Sequence, residues 1–293
     1  MKFFQSVCLA TSLLLASPTN AAPIAHKRQN TGAKKRIALW EWTLTRDVPS
    51  YPAIQSTATS LGTSTEIAAV MNWEGWQPTE VPVAFEPMAR VLDSFGGDAW
   101  TQLTGSLATQ QQAGVASPPV HFLNEPERQG VSAADAANTW RGSFAPLRAQ
   151  YGAKLVGPAP ASDPAGSAWL QEFMSYLGAD EKPDYLGVHF YTAQSTASSD
   201  EVAAAQAYIR GQYDAYGIPV VVSEIASTNR DAGEVDSFTR QMAQWLDAQD
   251  WVFQYGFFGM SREVTNDFVS PAAQLLDFNG NLTPLGLFYA GFE

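Results

Sequence analysis

Cysteine is almost missing from this 293-residue sequence. The only one, Cys8, sits in an apolar N-terminal stretch, so the chain beyond it has no disulfide and depends on its core for stability. Roughly 265 residues are enough for one large core. Histidine is nearly as scarce. Only His121 and His189 lie beyond the N-terminal stretch, and with no cysteine beside them neither a zinc nor a copper site is expected. Basic residues are few, 17 against 29 acidic ones, for a net charge of −12. That surface repels nucleic acid and anionic membranes and tolerates neutral ligands. The sequence also lacks a glycine-rich phosphate loop and a Gly-x-Ser-x-Gly turn. No cofactor is called for.

The one long apolar run is N-terminal. Lys2, the stretch Val7 to Ala16 and the small residues of Asn20-Ala21-Ala22 read as a signal peptide over residues 1–22, too short to span a bilayer. Lys27-Arg28 reads as a dibasic processing site, making 23–35 a propeptide or flexible segment with a mature start at Gln29. Loss of residues 1–28 removes Lys2, Lys27 and Arg28 but no acidic residue, deepening the negative charge by three. The C-terminal residues Leu287 to Glu293 carry no lipid-anchor signal. The expectation is a secreted, soluble monomer, extracellular or at the cell wall. Asn281-Leu-Thr283 is one glycosylation sequon, weakened by Pro284.

Short apolar runs recur through the rest: Arg36–Trp42, Ile67–Trp73, Val81–Glu86, Val120–Glu125, Lys154–Gly157, Tyr185–Tyr191, Pro219–Glu224 and Phe253–Phe258. Few of them alternate, as strands covered on both faces should not. Helical stretches separate them. Ser132 caps one running through Trp140, Asp200 caps Glu201 to Tyr213, and Val235 to Ala248 forms another. Eight strands alternating with helices predict an α/β fold, a single-domain (β/α)8 TIM barrel over residues 36–293. Trp73 to Val81 is too short for a helix and should be an irregular loop.

Two of these runs end in glutamate: Pro119-Val-His-Phe-Leu-Asn-Glu125 and Pro219-Val-Val-Val-Ser-Glu224. They lie 99 positions apart, about three strand–helix units of roughly 31 residues in a barrel of this size, which puts them on strands four and seven. Barrel chemistry gathers at the C-terminal ends of strands. Here those ends carry Trp40-Glu-Trp42, Asn72-Trp-Glu-Gly-Trp76, Glu86, Asn124-Glu125, His189-Phe-Tyr191 and Glu224. Carboxylates and aromatics on one rim suit a polysaccharide cleft.

Retaining glycoside hydrolysis needs an acid, kept protonated by a raised pKa, and an attacking carboxylate about 5–5.5 Å away. Glu125 and Glu224 are the candidates. Asn124 could bond the sugar 2-hydroxyl. His189 and Tyr191 share strand parity, so Tyr191 could orient the nucleophile. Trp73, Trp42 and Trp40 are candidate sugar platforms, whereas Trp100, Trp140, Trp169 and Trp245 fall in helices and should pack. Glu41, Glu74, Glu86 and Glu127 lack both the Asn partner and the spacing and read as cleft wall or surface. His121, roughly 13 Å down the strand from Glu125, reads as structural.

Almost the whole mature chain resembles glycoside hydrolase family 128, the fungal-type β-1,3-glucanases. The likeness runs through Val70-Met-Asn-Trp73, Glu86-Pro-Met88, Phe122-Leu-Asn-Glu-Pro-Glu127, Ala136-Ala-Asn-Thr-Trp140, Lys154-Leu-Val-Gly-Pro-Ala159, Asp184-Tyr-Leu-Gly-Val-His-Phe-Tyr191, Val222-Ser-Glu224 and Leu282-Thr-Pro-Leu-Gly286. The resemblance implies a metal-independent retaining hydrolase of β-1,3-glucan. Glu125 would be the acid/base and Glu224 the nucleophile, with His189, Tyr191, Asn124 and the aromatics of strands one and two in the site. It also explains the short link after Trp73. The chain departs from the family at Ala89-Arg90, where a tryptophan is frequent, at Phe190 and at Ser223; these alter subsite shape rather than the carboxylates. A glucan-binding barrel without turnover, and the same mechanism on a β-1,4-linked glycan, are the alternatives.

Overall fold

The computed structural model describes residues 35–193, 196–264 and 268–293. The signal-peptide and processing expectations lie outside them. Lys35, placed at the end of the flexible segment by sequence, is buried and donates to the carbonyls of Leu246, Asp247 and Gln249. Among the described residues no helix is long and apolar enough to cross a membrane.

The protein is a single mixed α/β domain whose named strands all pair in parallel. In chain order they are β1 (Arg36–Leu39), β2 (Ile67–Met71), β3 (Ala84–Phe85), β4 (Met88–Ala89), β5 (Pro119–Phe122), β6 (Lys154–Val156), β7 (Leu186–Tyr191), β8 (Val220–Ala226) and β9 (Val252–Phe257). Six of them form a sheet in the order β3-β2-β1-β9-β8-β7, and β4-β5-β6 form a second. A lone bridge, Val156 to Tyr185, joins β6 to the entry of β7. The expected third strand is split at Glu86-Pro87. Glu86 N still bonds Val70 O, but Pro87 has no N–H to give β2, and its carbonyl accepts from His121 N instead. The ladder is thus broken in two places, and the expected eight-stranded barrel is seen as two parallel arcs.

Helices link the strands. α1 (Trp42–Asp47) and α2 (Pro52–Leu61) follow β1, and α3 (Gly97–Gln112) follows β4. α4 (Ala133–Thr139), which runs on into a π-turn at Trp140–Phe144, and α5 (Leu147–Tyr151) follow β5. α6 (Pro164–Tyr176), α7 (Ser198–Tyr216), α8 (Ala232–Ala248) and α9 (Pro284–Ala290) complete the set. The Ser132 cap forms as expected, its side chain accepting from Asp135 N. Asp200 does not cap α7. That helix begins two residues earlier, leaving Asp200 in its first turn, where the helix dipole favours a negative charge. The link after Trp73 is irregular, as its length required.

Strand parity sorts the core into layers. Ile37 and Leu39 point inward with Met71, Val156 and Val221. Ala38 and Trp40 point the other way, into the larger core beneath the helices. The sequence reading that made Trp40 a sugar platform is corrected by this. Trp40 is fully buried, and its indole N–H donates to Glu80 Oε1 at 2.9 Å. The chain leaves β1 at Leu39 rather than running on to Trp42, because the Glu41 side chain accepts from Thr43 N and starts α1.

Candidate active site

Both glutamates are aimed by local irregularities. On β8, Val222 packs into the outer core, so regular alternation from it would send Glu224 outward too. A register shift pairs Val188 with Val222 but His189 with Glu224, making Ser223 an extra residue. This bulge turns Glu224 to the inner side, a common use of bulges beside active sites. Glu125 lies three residues beyond β5 with φ +41°, and Leu123 also has φ +41°. Trp73 has φ +60°. Such backbones cost about 1–3 kcal/mol each for non-glycine residues and cluster where side chains must be aimed.

A carboxylate oxygen of Glu125 and one of Glu224 lie within 4.8 Å of each other and of a ring nitrogen of His189. His189 Nδ1 is 3.2 Å from Glu125 Oε1, and Nε2 is 3.6 Å from Glu224 Oε1, too far for a hydrogen bond but near enough for attraction. Two donors fix Glu224: Trp73 Nε1 at 2.7 Å on Oε1, and the Tyr191 hydroxyl on Oε2. The Glu224 side chain is only 8% exposed, the Glu125 side chain 28%. The three converging atoms are close enough to share a cation. The N–H and O–H already directed at both Glu224 oxygens compete for the lone pairs an ion would need.

Charge follows from these contacts. Burial opposes a charged His189 ring, but the Glu224 charge and the Glu125 bond outweigh it and raise its pKa. Burial pushes the Tyr191 hydroxyl far above its usual value, reinforced by the Glu224 charge, so it stays a donor. Glu125 corrects an expectation. Burial pushes its carboxyl up, yet the His189 hydrogen bond and charge, with Arg128 further off, bring it below the usual range. The two shifts run in opposite directions, carboxyl down and imidazole up, and share the Glu125–His189 contact as a cause.

Around this pair opens a cavity of about 310 Å³. Asn124, Trp73, Tyr191 and Trp42 line it, as the sequence suggested, and so do Glu41 and Glu74. Asn124 Oδ1 is buried with no hydrogen-bond partner among the described residues, a polar atom left for a ligand hydroxyl. His189 lies beneath the cleft rather than on its wall. It is fully buried and reaches a ligand only through the carboxylates. Glu86 is not cleft wall either: buried, it bonds His121 Nε2 at 2.9 Å, which gives His121 its structural role. Glu127 accepts from Ala161 N.

Asn72, on the expected rim, lines the cleft, and so does Arg90, where the chain departs from its family, whereas Phe258 and Phe268 were not foreseen there. Phe258 closes the eighth expected strand, so its position at a strand end was the available signal. Its ring meets Trp73 at 5.7 Å and Tyr191 at 6.3 Å. Arg90 stands 3.2 Å from Glu74. Phe268 comes from a loop with no periodicity to reveal it.

A family model described as the glycosyl hydrolase catalytic core matches residues 50–289. No curated protein matches. Among solved structures, the chain is similar to a subgroup VI exo-β-1,3-glucanase of family GH128 from Aureobasidium namibiae. That likeness has 33% identity and a TM-score of 0.77, covering 89% of this chain and 97% of that one. A subgroup I endo-β-1,3-glucanase from Amycolatopsis mediterranei, solved with laminaritriose, shares the fold at 20% identity and a TM-score of 0.64, covering 90% and 100%. So does a subgroup VII oligosaccharide-binding protein from Trichoderma gamsii, at 16% identity and a TM-score of 0.61, covering 88% and 93%.

Proposed function

Since the chain belongs to the glycosyl hydrolase catalytic core family, within family GH128, we propose that it hydrolyses β-1,3-glucan with retention of anomeric configuration. The observation that carries this reading is the distance, within 4.8 Å, between oxygens of Glu125 and Glu224. Retaining enzymes hold their carboxyls about 5–5.5 Å apart, whereas inverting ones leave about 6.5–9.5 Å for a water.

In the first step Glu224 attacks the anomeric carbon while Glu125 gives a proton to the leaving oxygen. In the second, water attacks that carbon, gives its proton to Glu125 and releases the Glu224 carboxylate. Glu125 must first gain a proton. A sugar seated over its exposed part extends the burial that already pushes this carboxyl up, and the proton passes from His189 to Glu125. Asn124 bonds the 2-hydroxyl, and Trp73 and Trp42 face the sugars. The two strand arcs act as one (β/α)8 barrel with the cleft at the strand ends. The same reading has the protein secreted as a monomer, acting on extracellular or cell-wall glucan.

The test is a β-1,3-glucan oligosaccharide ladder incubated with the parent and with Glu224→Gln. Cleavage by the parent alone, with the β-anomer appearing first, supports the reading, and product sizes distinguish exo from endo action. Binding without cleavage would make the chain a glucan-binding barrel without turnover. Cleavage of β-1,4-linked glycans instead would move the substrate class.

A further inference from the structure

Phe278 is the most exposed large apolar residue among those described, at 56%. It lies in a tight turn. Gly280 N donates to Asp277 O, and Asp277 N donates to Asn281 O. Asp277 Oδ1 accepts from the backbone N–H groups of Asn279 and Asn281. The turn is fixed to α2, because Thr57 Oγ1 donates to Gly280 O at 2.7 Å. Gly280, at φ +92°, approaches so closely that a Cβ would sit 2.5 Å from Ile54. The Phe278 ring meets Tyr51 edge to face at 6.0 Å and the Arg262 guanidinium at 5.2 Å, and the rest of it faces solvent. Three residues on, Asn281 is exposed and opens the sequon Asn281-Leu-Thr283. No residue of this turn lines the cleft.

Resting on the secreted reading above, we propose that Asn281 carries an N-linked glycan whose first sugar packs on the Phe278 ring. The amide nitrogen of Asn281 attacks the anomeric carbon of a lipid diphosphate-linked oligosaccharide, which the secretory apparatus supplies. A carbon–nitrogen bond forms and the carbon–oxygen bond to the diphosphate breaks. The diphosphate leaves with the electron pair, and the amide gives up one proton. Nδ2 keeps its second hydrogen for the Asp277 carboxylate, whose Oδ2 stands 3.0 Å away. The C–H groups on one face of a sugar ring are slightly positive and suit the negative face of an aromatic ring. The residue that weakens the sequon has a structural duty. Pro284 is the first residue of α9, where its fixed φ and missing N–H cost nothing. Thr283 Oγ1 caps the same helix through Gly286 N and donates to Gln274 O. Transfer therefore precedes the folding of α9, while that hydroxyl is free, and the finished turn then holds the sugar beside Phe278.

To test this, the full chain and its Asn281→Gln and Phe278→Ala variants are secreted from a eukaryotic host. An endoglycosidase trims any N-glycan to one sugar, and the digested peptides are weighed. The expected result is one added N-acetylglucosamine on the peptide bearing Asn281, absent from Asn281→Gln. Residues 29–293, which contain no cysteine, made in a bacterial cytoplasm supply the unmodified reference. The single-sugar form of the parent should melt about 1–4 °C above its reference. In Phe278→Ala that difference should vanish. A secreted chain with Asn281 unmodified, or an equal shift with and without the Phe278 ring, would overturn the proposal while leaving the secreted reading intact. Retention of the chain inside the cell with residues 1–22 uncleaved would remove that reading, and the glycan with it.

Discussion

Replacing Tyr191 by phenylalanine removes one oxygen atom and keeps the ring that packs against Phe258 and Phe268. The Glu224 carboxylate then loses one of the two donors that hold it among the described residues, leaving Trp73 Nε1. A hydrogen bond to a charged group is worth about 1.5–3 kcal/mol, or roughly 10- to 150-fold in rate if the loss falls wholly on a transition state. In the proposed reaction the loss falls mainly on the second step, where the carboxylate is the leaving group and regains its charge as the hydroxyl stabilises it. With a fluoride donor, whose first step is fast, Tyr191→Phe should therefore lower kcat by one to two orders of magnitude. A burst equal to one glucosyl group per enzyme should precede the slow phase. Trp73→Phe should do the same, and the double variant should lose less than the product of the two, since both donors serve one carboxylate. A kcat within about twofold of the parent in a folded Tyr191→Phe protein would refute the assignment of Glu224 as a leaving group held by these donors.

Three further outcomes follow from the geometry. Glu125 is held low, so its stabilising contribution is present above the usual carboxyl range and lost as pH falls through its lowered value. His189 is held high, so its contribution is present below the usual imidazole value and lost as pH rises through its raised one. The difference in melting temperature between the parent and His189→Gln should peak between about pH 4.3 and 6.5; a difference that keeps growing into alkaline pH would be wrong for this pair. His121→Ala leaves buried Glu86 without its partner and should cost about 3–5 kcal/mol in denaturant unfolding with kcat/KM nearly unaltered, and a selective loss of activity instead would move His121 into the site. Trp42→Ala, at an exposed position on the cleft, should raise KM severalfold and spare kcat, whereas a fall in kcat alone would argue against a platform role.

Much of the site was legible because strand ends have a sequence signature. Short apolar runs closing in Asn124-Glu125, His189-Phe-Tyr191 and Ser223-Glu224 are what a buried strand presenting polar side chains looks like. Their spacing matched the chain order in which the parallel strands recur. What escaped depended on single-residue geometry. Trp40 and Trp42 are two positions apart and chemically identical, yet where β1 stops and α1 begins sends one into the core and the other to the cleft. The bulge at Ser223 that turns Glu224 inward leaves no compositional trace. Phe268 enters the cleft from a loop, where periodicity carries no information. The acidity of Glu125 could not be read either, because it depends on a histidine 64 positions away in the chain.

The most direct test of the central claim is to trap the intermediate. The protein is incubated with a β-linked 2-deoxy-2-fluoro-glucosyl donor carrying an activated leaving group, digested, and the peptides are weighed. The account predicts one added fluoroglucosyl mass, on the peptide bearing Glu224, with activity lost in step. Turnover that releases the α-anomer first, or a label on any other residue, would contradict it.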